Sequence, residues 1–558
     1  MADPTQDVVI VGSGPGGAAA AWALSRRGVR VLVLEAGPRF DPFEDYRLSS
    51  NDWEQHGFPV KPGSQGKYAF AEMQSLEARW RDLRSWNRQS GPIVTIDRRR
   101  VLGYQHVRGV GGATLHFTGE AHRLHPKAMK MRSRFGVAAD WPLDYGELEP
   151  YYVIAEKVVG VAGPAGDQQR PRSEPYPLPA HRLSYASEHL AAGCRKLGLN
   201  WVANPRAALS ARYEERPDCN YCGNCNRGCP RTDKGSVDVT FLRQAVASGR
   251  CSIKPQCQVT RIETGGGDRV ATVVYQDANG SAHKVAAKAV ILAGGAVETP
   301  RLLLLSKDRH APDGLANETG LVGKNFMETL FWTSSGLHPG PLGSHRCLPS
   351  DSICWDYNAP DAIPNVIGGC RFYSGVAEAD LVGPINYATR AVRGWGKSHK
   401  RALREVFGNA LSVSAIGESL PNAESYVDLD PKERDANGLP LARIHGFLPE
   451  RELERLAFMA KKSREILKAS GVEQAFEEYG AYDTFSATHV FGTCCMGREP
   501  GKSVVDPYGR SHRWRNLFIT DASVFPSSGG GEAPSLTIEA LAIRSADHLV
   551  ELMKRREI

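Results

Sequence analysis

The chain of 558 residues is longer than one hydrophobic core supports, so at roughly 100–200 residues per domain it should fold as two or more units, a large enzyme rather than a small adaptor. Hydrophobic residues make up 41% and charged residues 23%, close to the average for globular chains, which excludes extended disorder. The net charge of +7 is small for this length and the Lys and Arg are scattered, which argues against nucleic acid and for a small neutral substrate.

Residues 8–24 form the longest uncharged run. It is too short and too rich in glycine to span a membrane, and Asp3 and Asp7 rather than cations precede it, so it reads as neither a membrane helix nor a signal peptide. The sequence therefore predicts a cytoplasmic protein with no membrane span, or one carried to the periplasm by a partner subunit that bears the signal. Of the 12 cysteines, four fall within eleven residues, unlike the framework of a disulfide-stapled secreted domain.

In chain order, apolar residues 8–11, a glycine turn, an Ala-rich helix to about Leu24 and apolar residues 29–34 make a βαβ unit. Residues 163–179 read as a linker or long loop, and 265–267 as a hairpin tip. Two further buried-strand runs, 289–293 followed by a helix to Ser306 and 516–520, predict a sheet assembled from distant segments. Residues from about 330 to 480 lack the βαβ rhythm and form a candidate substrate-facing domain.

Gly12-Ser13-Gly14-Pro15-Gly16-Gly17 has the GxGxxG spacing between strand and helix, with Glu35 ending the next strand. Gly12 suits the tight turn, Gly14 the close approach of a pyrophosphate and Gly17 helix packing. The helix N-terminus suits negative charge, and Glu35 the adenosine ribose hydroxyls. Ser13 belongs to the same turn. This motif alone does not separate FAD from NAD.

Four further segments resemble the glucose-methanol-choline (GMC) oxidoreductase family. They are Arg108-Gly109-Val110-Gly111-Gly112-Ala113-Thr114-Leu115-His116; Gly295-Ala296-Val297-Glu298-Thr299-Pro300-Arg301; His489-Val490-Phe491-Gly492-Thr493 with Asp521-Ala522-Ser523; and Trp141-Pro142-Leu143 with Glu149-Pro150-Tyr151-Tyr152. The last is similar to the gluconate and related sugar dehydrogenase catalytic subunits. The resemblance implies FAD and a mixed α/β plus α+β fold. A discontinuous Rossmann-type FAD-binding domain (1–150, 230–330 and 485–558) and a linker and cysteine-rich segment (151–229) are expected, with an inserted substrate domain (331–484) containing an antiparallel sheet. It further implies that Val259 lies near the adenine, that Arg108, Gly112, Thr114, Asp521, Ala522 and Thr537 contact the cofactor, and that His116 is placed to bond the flavin covalently.

Alcohol oxidation removes a proton from oxygen and a hydride from carbon; flavin N5 can take the hydride and a side chain the proton. His489 matches the family's catalytic histidine, and its pKa range suits a base near neutral pH. The family's second His or Asn is replaced by Ala533, leaving the adjacent Glu532 either to orient His489 or bind a substrate hydroxyl, or to face solvent or pair with an Arg.

Cys219, Cys222, Cys225 and Cys229, followed by Pro230, have the C-x2-C-x2-C-x3-C-P spacing of bacterial ferredoxins, which suits a three- or four-iron cluster. Cys219, Cys225 and Cys229 match the cluster segment of FAD-dependent glucose dehydrogenase subunits. Zinc and bare or disulfide-linked thiols remain as alternatives. A cluster would pass electrons to a cytochrome or quinone, with a small partner subunit. The expected activity is thus FAD-dependent oxidation of a carbohydrate or other alcohol. The rivals are an oxygen-using oxidase, a non-redox FAD-containing lyase and a redox sensor or structural partner without turnover.

Overall fold

The computed structural model describes residues 3–166, 169–346 and 348–558, with only the backbone of residues 3–5. Residues 167 and 168 of the expected 163–179 loop lie outside the described residues, as do Cys347 and the Asp3 side chain.

One layer is a seven-stranded sheet built as the apolar runs predict. Strand Asp3–Val11 pairs in parallel with Val31–Leu34 on one side and Ala282–Leu292 on the other, so Ile10 sits between Val33 and Ile291. Cys251–Lys254 extends the Val31–Leu34 edge. The long Ala282–Leu292 strand pairs its first half with the antiparallel hairpin Gln258–Thr264 and Val270–Gln276, and its second half with Leu517–Ile519. Parallel strands covered on both faces read as unbroken apolar runs, and Val8, Val9, Ile10 and Val33 are fully buried. Helix Pro15–Ser25 covers one face because it is nearly all alanine and glycine: a Cβ on Gly16 would stand 2.0 Å from the Thr520 carbonyl oxygen, and one on Gly17 the same distance from that of Gly12. Behind it packs helix Ser535–Lys554, which also meets Tyr145–Val159, a helix started by an Asp144/Glu147 capping box.

The second layer is an eight-stranded antiparallel sheet in the order Gly91–Pro92, Trp86–Asn87, Ala475–Gly480, Leu330–Leu337, Ala410–Gly417, Cys370–Ser374, Ser352–Cys354 and Val202–Ala203. Its outer strands come from residues 86–92 and 202–203, outside the 331–484 stretch expected to build it. The pleat sorts its residues by face. Leu330, Trp332, Cys370, Phe372, Leu411, Val413 and Ala415 pack with Leu453, Leu456 and Met459 of helix Glu450–Ala469. Phe331, Thr333, Arg371, Tyr373, Ile416 and Tyr479 point the other way and line a cavity between the layers. The 151–229 stretch is more structured than a linker. It carries helix Tyr185–Lys196, and its loop is fastened by Arg170 and Arg172, which pair with Glu532 and Glu156.

Arg99 is tied to the ends of two strands of the antiparallel sheet: it is 2% exposed, binds both carboxylate oxygens of Glu328 at 2.6 and 2.9 Å and donates Nε–H to the Ala481 carbonyl at 2.9 Å. Removing one partner of a buried pair leaves an uncompensated charge, so Arg99→Met should lower the unfolding free energy by about 3–5 kcal/mol, read as a shift in the denaturation midpoint.

Candidate active site

A cavity of about 460 Å3 runs from the Gly-rich turn to the antiparallel sheet. At one end Gly12 takes φ +95°, which glycine permits, and a Cβ there would meet the Ala293 carbonyl oxygen at 2.6 Å. Gly14 is different. Its φ is −66° and its nearest neighbour to an added Cβ is 4.0 Å away, so nothing in the chain itself demands glycine. It leaves an open cradle on the cavity wall, as the close approach of a pyrophosphate requires. The N-termini of helices Pro15–Ser25, Gly295–Leu305 and Ser535–Lys554 all border the cavity, and their free N–H groups and dipoles favour a negatively charged ligand.

Glu35 is buried and binds more of the chain than the motif suggests. One oxygen accepts from Ser13 N (3.0 Å) and Ser13 Oγ (2.6 Å), the other from Gly37 N (2.9 Å) and Gly109 N (3.1 Å). It clamps the Gly12–Gly17 turn to the Arg108–Gly112 loop, bringing Gly14 and Gly112 face to face: a Cβ on Gly112 would stand 2.7 Å from Gly14 Cα. Arg108 donates to Glu298 at 3.3 Å, Thr114 Oγ1 donates to the Gly111 carbonyl at 2.7 Å, and Val259 lines the same end. Asp521 accepts from Gly295 N at 2.9 Å and from Ser523 N at 2.9 Å, holding Ala522 against the cavity.

At the far end lies His489, whose carbonyl accepts from Thr329 N and Oγ1, both at 3.1 Å. Its Nδ1 is buried with no hydrogen-bond partner in the chain. Burial, reinforced by the positive charge of Arg371, holds its pKa down to about 4, so the imidazole is neutral at physiological pH. His116 and His106 line the same cavity and are likewise depressed by burial, to about 3 and about 4.

The residues expected to bind the cofactor thus converge, with two set one layer back: Gly17 packs against Gly12, and the Thr537 hydroxyl bonds the Tyr152 hydroxyl at 2.8 Å. Glu532 is a correction. It does not line the cavity; it is 3% exposed, and its Oε1 accepts from His125 N at 3.0 Å and from Arg170 at 3.2 Å. A buried carboxylate needs a partner, and Arg170 supplies one. The carboxylate whose charge reaches His489 is Glu120, held well below the usual range, against the effect of burial, by Arg371. Arg371 binds both Glu120 oxygens at 2.6 Å and donates Nε–H to the Gly531 carbonyl at 2.5 Å. Neither residue belongs to a motif; the only trace in the sequence is that Glu120 follows the His116 segment closely.

The four clustered cysteines do not fit an iron–sulfur cluster. Among the described residues no three His, Cys, Asp or Glu side chains are placed to hold a metal ion. Cys219 and Cys225 are buried against Ala208 and Leu348, and Cys229 Sγ donates to Asp233 Oδ1 at 3.4 Å. Burial pushes the Cys225 thiol up to about 12 and that of Cys229 to about 11. All four are free, so no disulfide joins them. The segment instead serves as a wall. Buried Lys234 donates to the carbonyls of Leu115 (2.9 Å), Phe117 (3.1 Å) and Cys225 (2.8 Å), tying the cysteine loop to the turn that carries His116, and Asn226 lines the cavity. Cys494, fully buried, and half-buried Cys495 are packing residues, as their small size suggests.

Comparison with known proteins agrees with this geometry. Residues 129–330 and 421–542 match the two family models described as GMC oxidoreductase, and residues 10–41 match the NAD(P)-binding Rossmann-like domain. The chain belongs to the GMC oxidoreductase family. It is therefore an FAD-dependent enzyme acting on CH–OH groups. It is 28% identical to 2-methyl-1,2-propanediol dehydrogenase of Mycolicibacterium austroafricanum, covering 98% of this chain and 95% of the relative. It is 29% identical to the fructose dehydrogenase large subunit of Gluconobacter japonicus (98% of each) and 27% identical to the gluconate 2-dehydrogenase flavoprotein of Pantoea cypripedii (98% and 93%). Pyridoxine 4-oxidase from Mesorbium loti shares the fold at 18% identity, with a TM-score of 0.63 over 98% of this chain and 99% of that one. No helix among the described residues is long and apolar enough to cross a membrane.

Because only a ligand explains Gly14, Gly14→Ala should leave the thermal midpoint of FAD-stripped protein unchanged while lowering the bound FAD per chain, measured by absorbance after gel filtration.

Proposed function

We propose that the enzyme oxidises a hydroxyl-bearing carbon of a sugar, glycoside or polyol, with His489 as the proton acceptor. The observation that supports this most is the placement of a buried, neutral histidine in the same cavity as the Gly14 cradle. FAD, when bound, supplies the hydride acceptor. It would be held by Gly12–Gly17, Glu35, Arg108–Thr114, Val259 and Asp521–Ala522. His489 takes the hydroxyl proton, and its unpartnered Nδ1 leaves its tautomer to be set by what binds. Arg371 and Glu120 position the sheet wall opposite and set the charge around the imidazole. The diol, fructose and gluconate in the relatives' names support a polyhydroxylated substrate.

The words "large subunit" in the Gluconobacter relative's name support a small partner subunit. No electron-transfer step through iron–sulfur is part of this reading, because the thiols do not converge.

Under anaerobic conditions the flavin absorbance should bleach when a substrate polyol is added; a flavin that never bleaches with any alcohol would sink the proposal. His489→Asn should retain FAD and lose about 10²–10⁴-fold in turnover. The base is the neutral imidazole, present above its pKa, so kcat at saturating substrate should hold on the acid side until it falls near pH 4 rather than near 6.5. His116, on the cavity wall, is where the covalent bond implied by the resemblance would form. Flavin retained by acid-precipitated wild type and released from His116→Asn would establish it.

A further inference from the structure

The wall of the cavity made by the antiparallel sheet carries polar groups that the reaction at His489 does not use. Thr333 Oγ1 is bonded to Ser414 Oγ at 2.9 Å. Arg371 spends its guanidinium on Glu120 and Gly531. Glu378, on the turn that follows strand Cys370–Ser374, lines the cavity and has one oxygen, Oε1, bonded to the Ser350 hydroxyl. Its Oε2 is buried and has no hydrogen-bond partner. Among the described cavity-lining residues the only other buried, unpartnered side-chain polar atom is His489 Nδ1.

An unpaired carboxylate oxygen in a dry site costs the desolvation of a charged acceptor and is retained where something binds it. The chain offers a structural partner and does not use it: Arg206 reaches the same residue, Ser350, through the backbone oxygen at 3.0 Å, and no ion pair joins it to Glu378. The terminal torsion of a glutamate is broad, so Oε2 can turn to a ligand without strain.

We infer that Glu378 is a substrate-binding carboxylate, which accepts a hydrogen bond from a second hydroxyl of the substrate, one other than the group being oxidised. This rests on the alcohol-oxidation reading above and narrows it to substrates with more than one hydroxyl, as opposed to simple alcohols. Burial, and then the charge of Glu120, push its titration up to about 7, with Arg206 opposing. Arg371, Tyr373 and Tyr479 also face it. His489 stays neutral through that range. Above about pH 7 the bond is charge-assisted and stronger; below it the carboxyl is neutral and the bond weaker.

The test uses the FAD-loaded enzyme, the polyol that reduces the wild-type flavin fastest, and, among its deoxy analogues lacking one hydroxyl other than the one oxidised, the analogue with the highest wild-type KM. Glu378→Gln should raise KM for the polyol about tenfold at pH 8, leave kcat within twofold and leave KM for the deoxy analogue unchanged. Wild-type KM for the polyol should fall as the pH is raised from 6 to 8, and Glu378→Gln should show no such fall. Dissociation constants from flavin difference spectra with an unreactive polyol should follow the same pattern. Flavin content and thermal midpoint check folding, and Glu378→Asp should recover part of the affinity. Equal losses for the two compounds, no loss, or a pH dependence that survives in Glu378→Gln would each overturn the assignment. A wild-type flavin that no alcohol reduces fails the underlying reading instead, and the two failures are distinguishable.

Discussion

A single buried carboxylate sets the geometry on which the rest of the site depends. Glu35 accepts four hydrogen bonds from three loops that are as much as 96 residues apart in sequence, those of Ser13, Gly37 and Gly109. A carboxylate has about four lone-pair sites, and these bonds offset part of the cost of burying it, although burial still raises its pKa. The two glycine-rich loops can approach because Gly112 lacks a side chain, which would otherwise stand 2.7 Å from Gly14 Cα. Once they are locked together, the His116 turn is fixed, and Lys234 fastens the cysteine loop to it from behind.

The opposite wall relies on strand pleat. One set of alternating residues makes an apolar contact with helix Glu450–Ala469, and the other set presents Thr333, Arg371, Tyr373 and Tyr479 to the cavity. Charge on that face is permitted because it is paired: Arg371 and Glu120 join the sheet to the nucleotide-binding layer through two bonds of 2.6 Å. The result is a dry, low-dielectric chamber in which the histidines stay neutral, the state in which an imidazole can receive a proton.

Local patterns were legible in the sequence, and long-range pairings were not. Gly12, Gly14, Glu35, His116, Val259, His489 and Asp521 all meet at one cavity, because each sits in a short segment whose chemistry is local: a turn, a strand end, a helix start. Glu532 was misplaced because its neighbour Ala533 stands where the family has a polar residue, while its true partner, Arg170, is 362 residues away in sequence. Glu120 and Arg371 are 251 residues apart, and nothing in either neighbourhood announces the pair. The cysteine spacing was clear, yet spacing does not fix the direction of a side chain. Here the loop spends its thiols on packing. The antiparallel sheet likewise borrows short strands from residues 86–92 and 202–203, too brief to show a period.

The parallel sheet begins with Asp3–Val11 and closes with Leu517–Ile519, while the helix that packs behind Pro15–Ser25, Ser535–Lys554, follows later still. At about 5–20 residues per second a ribosome needs on the order of half a minute to two minutes to travel between them. Throughout that interval the Ala-rich helix and its flanking strands lack part of their final packing. The half-built nucleotide site must be kept from other sheet edges, by the folding of the intervening antiparallel layer or by chaperones. A chain that stops short of Leu517 is unable to complete its own parallel sheet.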